Sequence, residues 1–263
     1  MINSNIRIGL IGFGNMGSAI CDGLIRADAV DPRKMCACAK DFTKLKANAE
    51  KRNILAFETP AEVVDHSDLL IIAVKPYLVK EVLMPVREQL AGKAVVSIAA
   101  GCDFAFYEDF LVPGTNHIST IPNTPVSICE GILVCEETHS LTEEQLSAFK
   151  RIFSSIGVLE FIDSKHLSVG GTVAGCGPAF AAMFIEALGD AGVKYGLRRE
   201  TAYRLAAQVL AGTGALQQVS GAHPGAMKDA VCSPGGTTIR GVGALEEAGF
   251  RNALIKAIDA IEG

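Results

Sequence analysis

The chain has 263 residues, 49% of them apolar, with 24 Lys and Arg against 29 Asp and Glu, a formal charge of −5 and no tryptophan. That length exceeds what a single core usually serves and predicts one large domain with a smaller one after it. The charge shows no basic stripe, which argues against nucleic acid and acidic membranes as partners. No uninterrupted apolar window of about eighteen residues occurs, and the opening MINSNIR lacks a signal-peptide core, so a cytoplasmic protein is expected.

Taken in chain order, Ile6 to Ile11 reads as a short apolar strand, followed by Gly12, Gly14 and Gly17 in G-x-G-x-x-G spacing and then a helical period. Strand, turn and helix in that order are the arrangement that binds a dinucleotide. Gly12 permits the tight turn, Gly14 lets backbone approach a pyrophosphate, Gly17 lets the helix lie close on the strand, and the amides near Asn15 and Met16 face the phosphates. A glycine-rich turn with no ligand has the same spacing.

A second strand, Met35 to Ala39, ends on Lys40 with no carboxylate until Asp41. An Asp or Glu there would bind a ribose 2′-hydroxyl, whereas Lys40 suits a 2′-phosphate. NADPH is therefore expected over NADH, unless Lys40 is only a solvated loop charge.

Further strands are expected at Leu69 to Val74, Ala94 to Ile98, His117 to Thr120 and Ile132 to Cys135, alternating with helical stretches. Alternation of that kind predicts an α/β, Rossmann-type doubly wound parallel sheet, with ligands at the carboxyl ends of its strands. Two segments fall there: Ala73-Val74-Lys75-Pro76 and Ser97-Ile98-Ala99-Ala100-Gly101. Either is a plain strand exit, or its small side chains leave room for a flat nicotinamide ring and its ribose, with Lys75 near the cofactor.

From Ser164 the strand pattern stops and an all-α region follows, which places domains at 1–163 and 164–263. Gly175, Gly177 and Pro178 are read as a helix start, after which Ala179 to Leu188 is apolar nearly all round. A helix apolar on every side needs burial on every side, and fewer than about a hundred residues cannot supply it alone, so this region is expected to pack against its copy in a dimer.

Near the end, Pro234, Gly235 and Gly236 force a turn, and Thr237, Thr238 and Ile239 open a new helix. Free amides and a positive dipole end, with the hydroxyls of Ser233, Thr237 and Thr238, can hold a carboxylate without arginine. An ordinary capped helix-turn-helix shares these residues. Eight cysteines, at 21, 36, 38, 102, 129, 135, 176 and 232, include no C-x-x-C, and five histidines form no metal-binding spacing; packing thiols and no metal site are expected.

Together these motifs resemble the pyrroline-5-carboxylate reductases, over essentially the whole chain. The resemblance rests on Gly12 to Gly17, Ala73 to Pro76, Ser97 to Gly101, Pro122-Asn123-Thr124-Pro125, Gly175-Cys176-Gly177-Pro178-Ala179 and above all Ser233 to Thr238. It implies NADPH-dependent reduction of (S)-1-pyrroline-5-carboxylate to L-proline, the last step of proline synthesis. It also implies a helical dimerisation domain, further assembly into a ring of dimers, and substrate bound where domains of neighbouring subunits meet. Ser233, Gly236, Thr237 and Thr238 are implied to hold the substrate, with Ser233 and Thr238 as the catalytic pair. Phe13 and Asn123 join the cofactor residues on the same ground. One departure stands out: where the family commonly has a Met-Asp-Ala-Val-Thr type segment, this chain has Leu167-Ser168-Val169-Gly170-Gly171-Thr172, and Ala174 replaces the usual Ser.

Two other readings are open. A 3-hydroxyacid dehydrogenase of similar architecture would carry a Lys with Asn four residues on, yet Phe180 to Leu188 offers only Glu186. A non-enzymic nucleotide-binding sensor would lack the hydroxyl turn.

Overall fold

A computed structural model describes residues 6–263. The elements in order are β1 (Ile8–Ile11), α1 (Asn15–Arg26), β2 (Met35–Cys38), α2 (Phe42–Glu50), β3 (Leu55–Phe57), α3 (Pro60–Asp65), β4 (Leu69–Ile72), α4 (Val79–Leu83), β5 (Ala94–Ser97), α5 (Phe104–Glu108), β6 (Asn116–Pro122), β7 (Gly131–Glu136), α6 (Glu143–Phe153) and β8 (Gly157–Ile162). Five helices follow: α7 (Leu167–Lys194), α8 (Arg199–Ser220), α9 (Pro224–Ala230), α10 (Thr237–Glu247) and α11 (Phe250–Glu262).

The strands form one sheet in the order β3-β2-β1-β4-β5-β6-β7-β8. From β1 the chain winds outward to β3, then returns to β4 and winds the other way, which is the doubly wound topology the alternation predicts. β3 and β8 extend the sheet beyond the six expected strands. All neighbours are parallel except β6 and β7, whose Thr120–Cys135 pairing is antiparallel. The connection between them holds only the short 3-10 helix Thr124–Ile128, too little chain for a parallel crossover of about a dozen residues.

Successive side chains of a strand face opposite sides of the sheet. In β4 this sends Leu69 and Ile71 to one core, with Ile8, Leu10, Val96 and Phe149, and Leu70 and Ile72 to the other, with Ile11, Val63, Val95 and Tyr107. Both faces are buried, so the central strands read as continuous apolar runs.

Packing divides the chain into two compact units, one running to Cys176 and the other spanning Gly177–Gly263. That division lies within α7, whereas the 163/164 boundary expected from the sequence falls just before the short 3-10 turn Ser164–His166 that leads into this helix. Gly175, Gly177 and Pro178 do not start a helix; α7 already begins at Leu167 and runs through Pro178. The local rule fails because another donor takes over the carbonyl that proline leaves unpaired, as described below. The departure segment 167–172 also has a structural reason. A Cβ at Gly170 would come 2.5 Å from Cδ1 of Ile162, and one at Gly171 would come 2.3 Å from Cδ1 of Ile121, so the first turns of α7 lie directly on β8 and β6.

In the second unit α7 and α8 are clasped where the Tyr203 ring lies across Gly189 and Arg199 pairs with Asp190. Its apolar side chains are largely outside: Met183 is 68% exposed, Ile255 60% and Val219 89%. The stretch Ser164–Lys194 is long and apolar enough, by length and composition, to cross a membrane.

Candidate active site

The first unit brings the expected cofactor residues to one edge of its sheet. Because β2, β1, β4, β5 and β6 are parallel neighbours in that order, their carboxyl ends set Lys40, Gly12 to Gly17, Ala73 to Pro76, Ala99 to Gly101 and Asn123 side by side. The winding reverses between β1 and β4, where such sheets open a crevice for ligand.

Each glycine of the first turn has a separate steric reason. Gly12 sits at φ +100°, and a Cβ there would lie 2.6 Å from the Ala73 carbonyl. A Cβ on Gly17 would be 2.7 Å from the Gly12 carbonyl and 3.2 Å from Cβ of Ala73, so α1 can approach β1 and β4 only because the residue is glycine. Gly14 has nothing within 4 Å of a built Cβ; its hydrogen faces open space beside the start of α1. That helix begins with no side-chain cap and no acidic residue in its first turn, which leaves the amides after Gly14 and the positive dipole end for an anion. Open space beside Gly14 at an uncapped helix start fits a dinucleotide pyrophosphate.

Phe13, within the turn, lies under the Arg52 guanidinium at 5.6 Å. Arg52 is itself fixed by Asp22 at 2.6 and 2.9 Å and by the Asn48 carbonyl at 3.1 Å. Sequence reasoning missed this buttress, since no spacing rule links positions 13, 22 and 52.

Lys40 is exposed at the end of β2. Asp41, the nearest carboxylate, is already engaged: its Oδ1 accepts the Lys44 amide at 2.9 Å as the N-cap of α2. Ala73 continues the ladder by donating its amide to the Ile11 carbonyl at 2.8 Å, Val74 is half-buried, and Lys75 and Pro76 are exposed. After β5, Ala99 is buried, Ala100 is exposed and Gly101 turns at φ +77°. Asn123 is 9% exposed, with Oδ1 accepting the Ile132 amide at 3.0 Å and Nδ2 donating to the Ala174 carbonyl at 3.1 Å. Its side chain ties β6 and β7 to α7, which leaves one Nδ2 proton free of these two bonds.

In the second unit, Ser233 to Thr238 form the expected turn. Gly235 takes φ +66°, the Gly236 amide donates to the Ser233 carbonyl at 3.0 Å, and α10 starts at Thr237 with Gly236 as an N-cap that offers no side chain. A Cβ on Gly236 would sit 2.4 Å from Oγ of Ser233, so glycine there is what lets that hydroxyl occupy the turn. Ser233, Thr237 and Thr238 are exposed. An uncapped helix start flanked by three hydroxyls is chemically suited to a carboxylate.

The eight cysteines are free thiols. Burial pushes Cys21 and Cys135 up to about 12 and Cys38 up to about 11, so these three stay protonated and inert.

A doubly wound sheet with a glycine-rich turn at its switch point, followed by a helical unit, is the architecture of two-domain, dinucleotide-dependent oxidoreductases. Residues 164–262 match the family model described as pyrroline-5-carboxylate reductase dimerisation, and residues 7–101 match that of NADP oxidoreductase coenzyme F420-dependent. The chain belongs to the pyrroline-5-carboxylate reductase family. It is 43% identical to the pyrroline-5-carboxylate reductase of Treponema pallidum, over 97% of this chain and 98% of that one. Among solved structures, the Plasmodium falciparum pyrroline carboxylate reductase with NADP bound superposes with a TM-score of 0.85 at 29% identity, covering 98% of this chain and 95% of that one. The Coxiella burnetii pyrroline-5-carboxylate reductase gives 0.86 at 27% identity, over 98% and 96% of the two chains.

Proposed function

We propose that this chain reduces (S)-1-pyrroline-5-carboxylate to L-proline with NADPH, the final step of proline synthesis. Beyond family membership, the observation that carries the reading is the turn from Ser233 to Thr238: an uncapped helix start with three exposed hydroxyls and no acidic residue in its first turn. The bound cofactor supplies a hydride from C4 of its nicotinamide. The residues' task is then to place and orient, because a protonated cyclic imine is already a strong hydride acceptor and needs no general acid.

Ser233, with Gly236 and Thr237, holds the carboxylate, and the Thr238 hydroxyl lies beside the ring nitrogen. Gly12 to Gly17 cradle the pyrophosphate. Lys40 takes the 2′-phosphate, a role supported by the engagement of Asp41 in capping α2; NADH is the second choice. Ala73 to Pro76, Ala99 to Gly101 and Asn123 frame the ring and its ribose.

The functional boundary is taken at 163/164, a reading supported by the start of the dimerisation match at residue 164. A second copy covers the apolar helices, so the stretch Ser164–Lys194 packs against protein rather than spanning a bilayer, and dimers assemble further into a ring. The enzyme works in the cytoplasm, without nucleic acid.

The test is loss of nicotinamide absorbance on adding the imine, run with both reduced cofactors. Oxidation dependent on the imine and faster with NADPH is expected. NADPH binding without turnover on any cyclic imine would overturn the reading in favour of a sensor.

A further inference from the structure

We infer that Ser97, Tyr107 and Glu136 are positioning residues that hold the cofactor-facing loop 98–103 in shape before any ligand arrives. This rests on the proposed function, in which Ala99, Ala100 and Gly101 frame the nicotinamide.

The loop leaves β5 and enters α5, and it is tied at both ends by buried side chains. At its entry the Ala99 amide donates to Oγ of Ser97 at 3.2 Å, and that hydroxyl is 2.6 Å from the Tyr107 hydroxyl. Thr120 fixes the same residue from β6, its Oγ1 donating to the Ser97 carbonyl at 2.8 Å. At its exit the Phe104 amide donates to Oε2 of Glu136, on β7, at 2.7 Å. The far end of α5 is anchored as well: Glu108 Oε1 is 2.8 Å from Nε2 of His117, on β6, whose ring stacks on Phe104 at 4.7 Å. A five-residue helix cannot hold itself in water; this one is pinned to three adjacent strands. Between the tied ends, Gly101 keeps its positive φ, with nothing within 4 Å of a built Cβ.

The energetics favour a role beyond packing. Glu136 is 0% exposed, and its second oxygen, Oε1, has no hydrogen-bond partner among the described residues. A buried carboxylate with one partner destabilises the fold relative to an apolar side chain of similar size. What it yields locally is one fixed amide, at the residue where the cofactor loop ends. Local cost retained at a site of this kind points to function.

The experiment uses the full chain, comparing Tyr107→Phe, Glu136→Met and Glu136→Gln. Four quantities are measured: NADPH affinity by fluorescence titration without substrate, amide exchange over 98–104 in the cofactor-free protein, Tm, and KM for the imine. Tyr107→Phe and Glu136→Met are expected to raise the NADPH Kd roughly fivefold to twentyfold, the effect of one ordering hydrogen bond. They should also speed exchange in that segment selectively, with imine KM changed by less than about twofold. Glu136→Gln keeps an acceptor oxygen and is expected to restore both affinity and slow exchange. If Glu136→Met does not fold, Tyr107→Phe, a single-atom deletion, decides. Unchanged Kd and exchange in a folded variant, or faster exchange everywhere with a matching fall in Tm, overturns the assignment. A wild-type chain that binds no NADPH sinks the functional reading instead, and the exchange comparison then judges the loop alone.

Discussion

The side-chain amide of Asn123 donates to the carbonyl of Ala174 at 3.1 Å, and that is the group Pro178, one turn further along α7, cannot reach because it has no amide proton. A strand-end residue thus completes a helix that proline would otherwise interrupt. The same side chain accepts the Ile132 amide, so one residue satisfies two backbone groups from different elements.

A double-mutant cycle tests this coupling. Asn123→Ala leaves a donor and an acceptor unpaired and should destabilise the chain by about 2 kcal/mol or more. Pro178→Ala supplies a helical amide to Ala174, so in the Asn123→Ala background it should recover about 1 kcal/mol relative to additivity. Urea unfolding at fixed protein concentration measures both. Strictly additive changes would mean that the two residues act independently.

The glycines of the first turn should separate stability from binding. Gly14→Ala has ordinary backbone angles, φ −84° and ψ −161°, and open space for its methyl, so stability should change by less than about 0.5 kcal/mol while NADPH binding weakens. Gly12→Ala has neither advantage, at φ +100° and against the Ala73 carbonyl, and should lower Tm or the soluble yield. Thermal melts beside a cofactor titration distinguish the two. A Gly14→Ala chain that binds NADPH normally would remove the pyrophosphate from this turn.

Lys40→Asp should shift preference from NADPH toward NADH, since it exchanges a phosphate partner for a carboxylate suited to a free 2′-hydroxyl. The readout is kcat/KM with each cofactor. An unchanged ratio would make Lys40 a loop charge and require another group to read the phosphate.

Thr238→Ala should lower turnover far more than Thr238→Ser. A hydrogen bond to a charged partner contributes roughly 1.5–3 kcal/mol, so kcat/KM should fall about tenfold to somewhat over a hundredfold while NADPH affinity stays constant. Near-normal kinetics in Thr238→Ala would reduce the residue to a helix-start position and move attention to Ser233.

What the sequence made legible follows from locality. β1, β2, β4 and β5 announce themselves because burial on both faces gives near-continuous apolar runs, and Gly12, Gly14 and Gly17 because their spacing directly follows a strand and opens a helix. β3 is a partly exposed edge of three residues, Leu55–Phe57, too short and too solvated to stand out. β8 is half-buried with two exposed positions, and one of these is the apolar Val158, so its residues show no apolar–polar alternation to mark it. Pro178 misled because the donor that rescues its turn stands on a different strand. Arg52 and Glu136 were invisible for the same reason: their partners, Phe13 and Phe104, are close only in space.

The outward apolar side chains of the helical unit, Met183 and Ile255 among them, have a consequence for handling the enzyme. A chain that completes its interior only in company has its folding equilibrium tied to how many copies share the solution, by mass action. Activity per chain should then decline on dilution and return on concentration, with a lag set by the encounter of subunits. Heat inactivation should likewise move to higher temperature in concentrated stocks, because the neighbours of each molecule take the place of a deeper core.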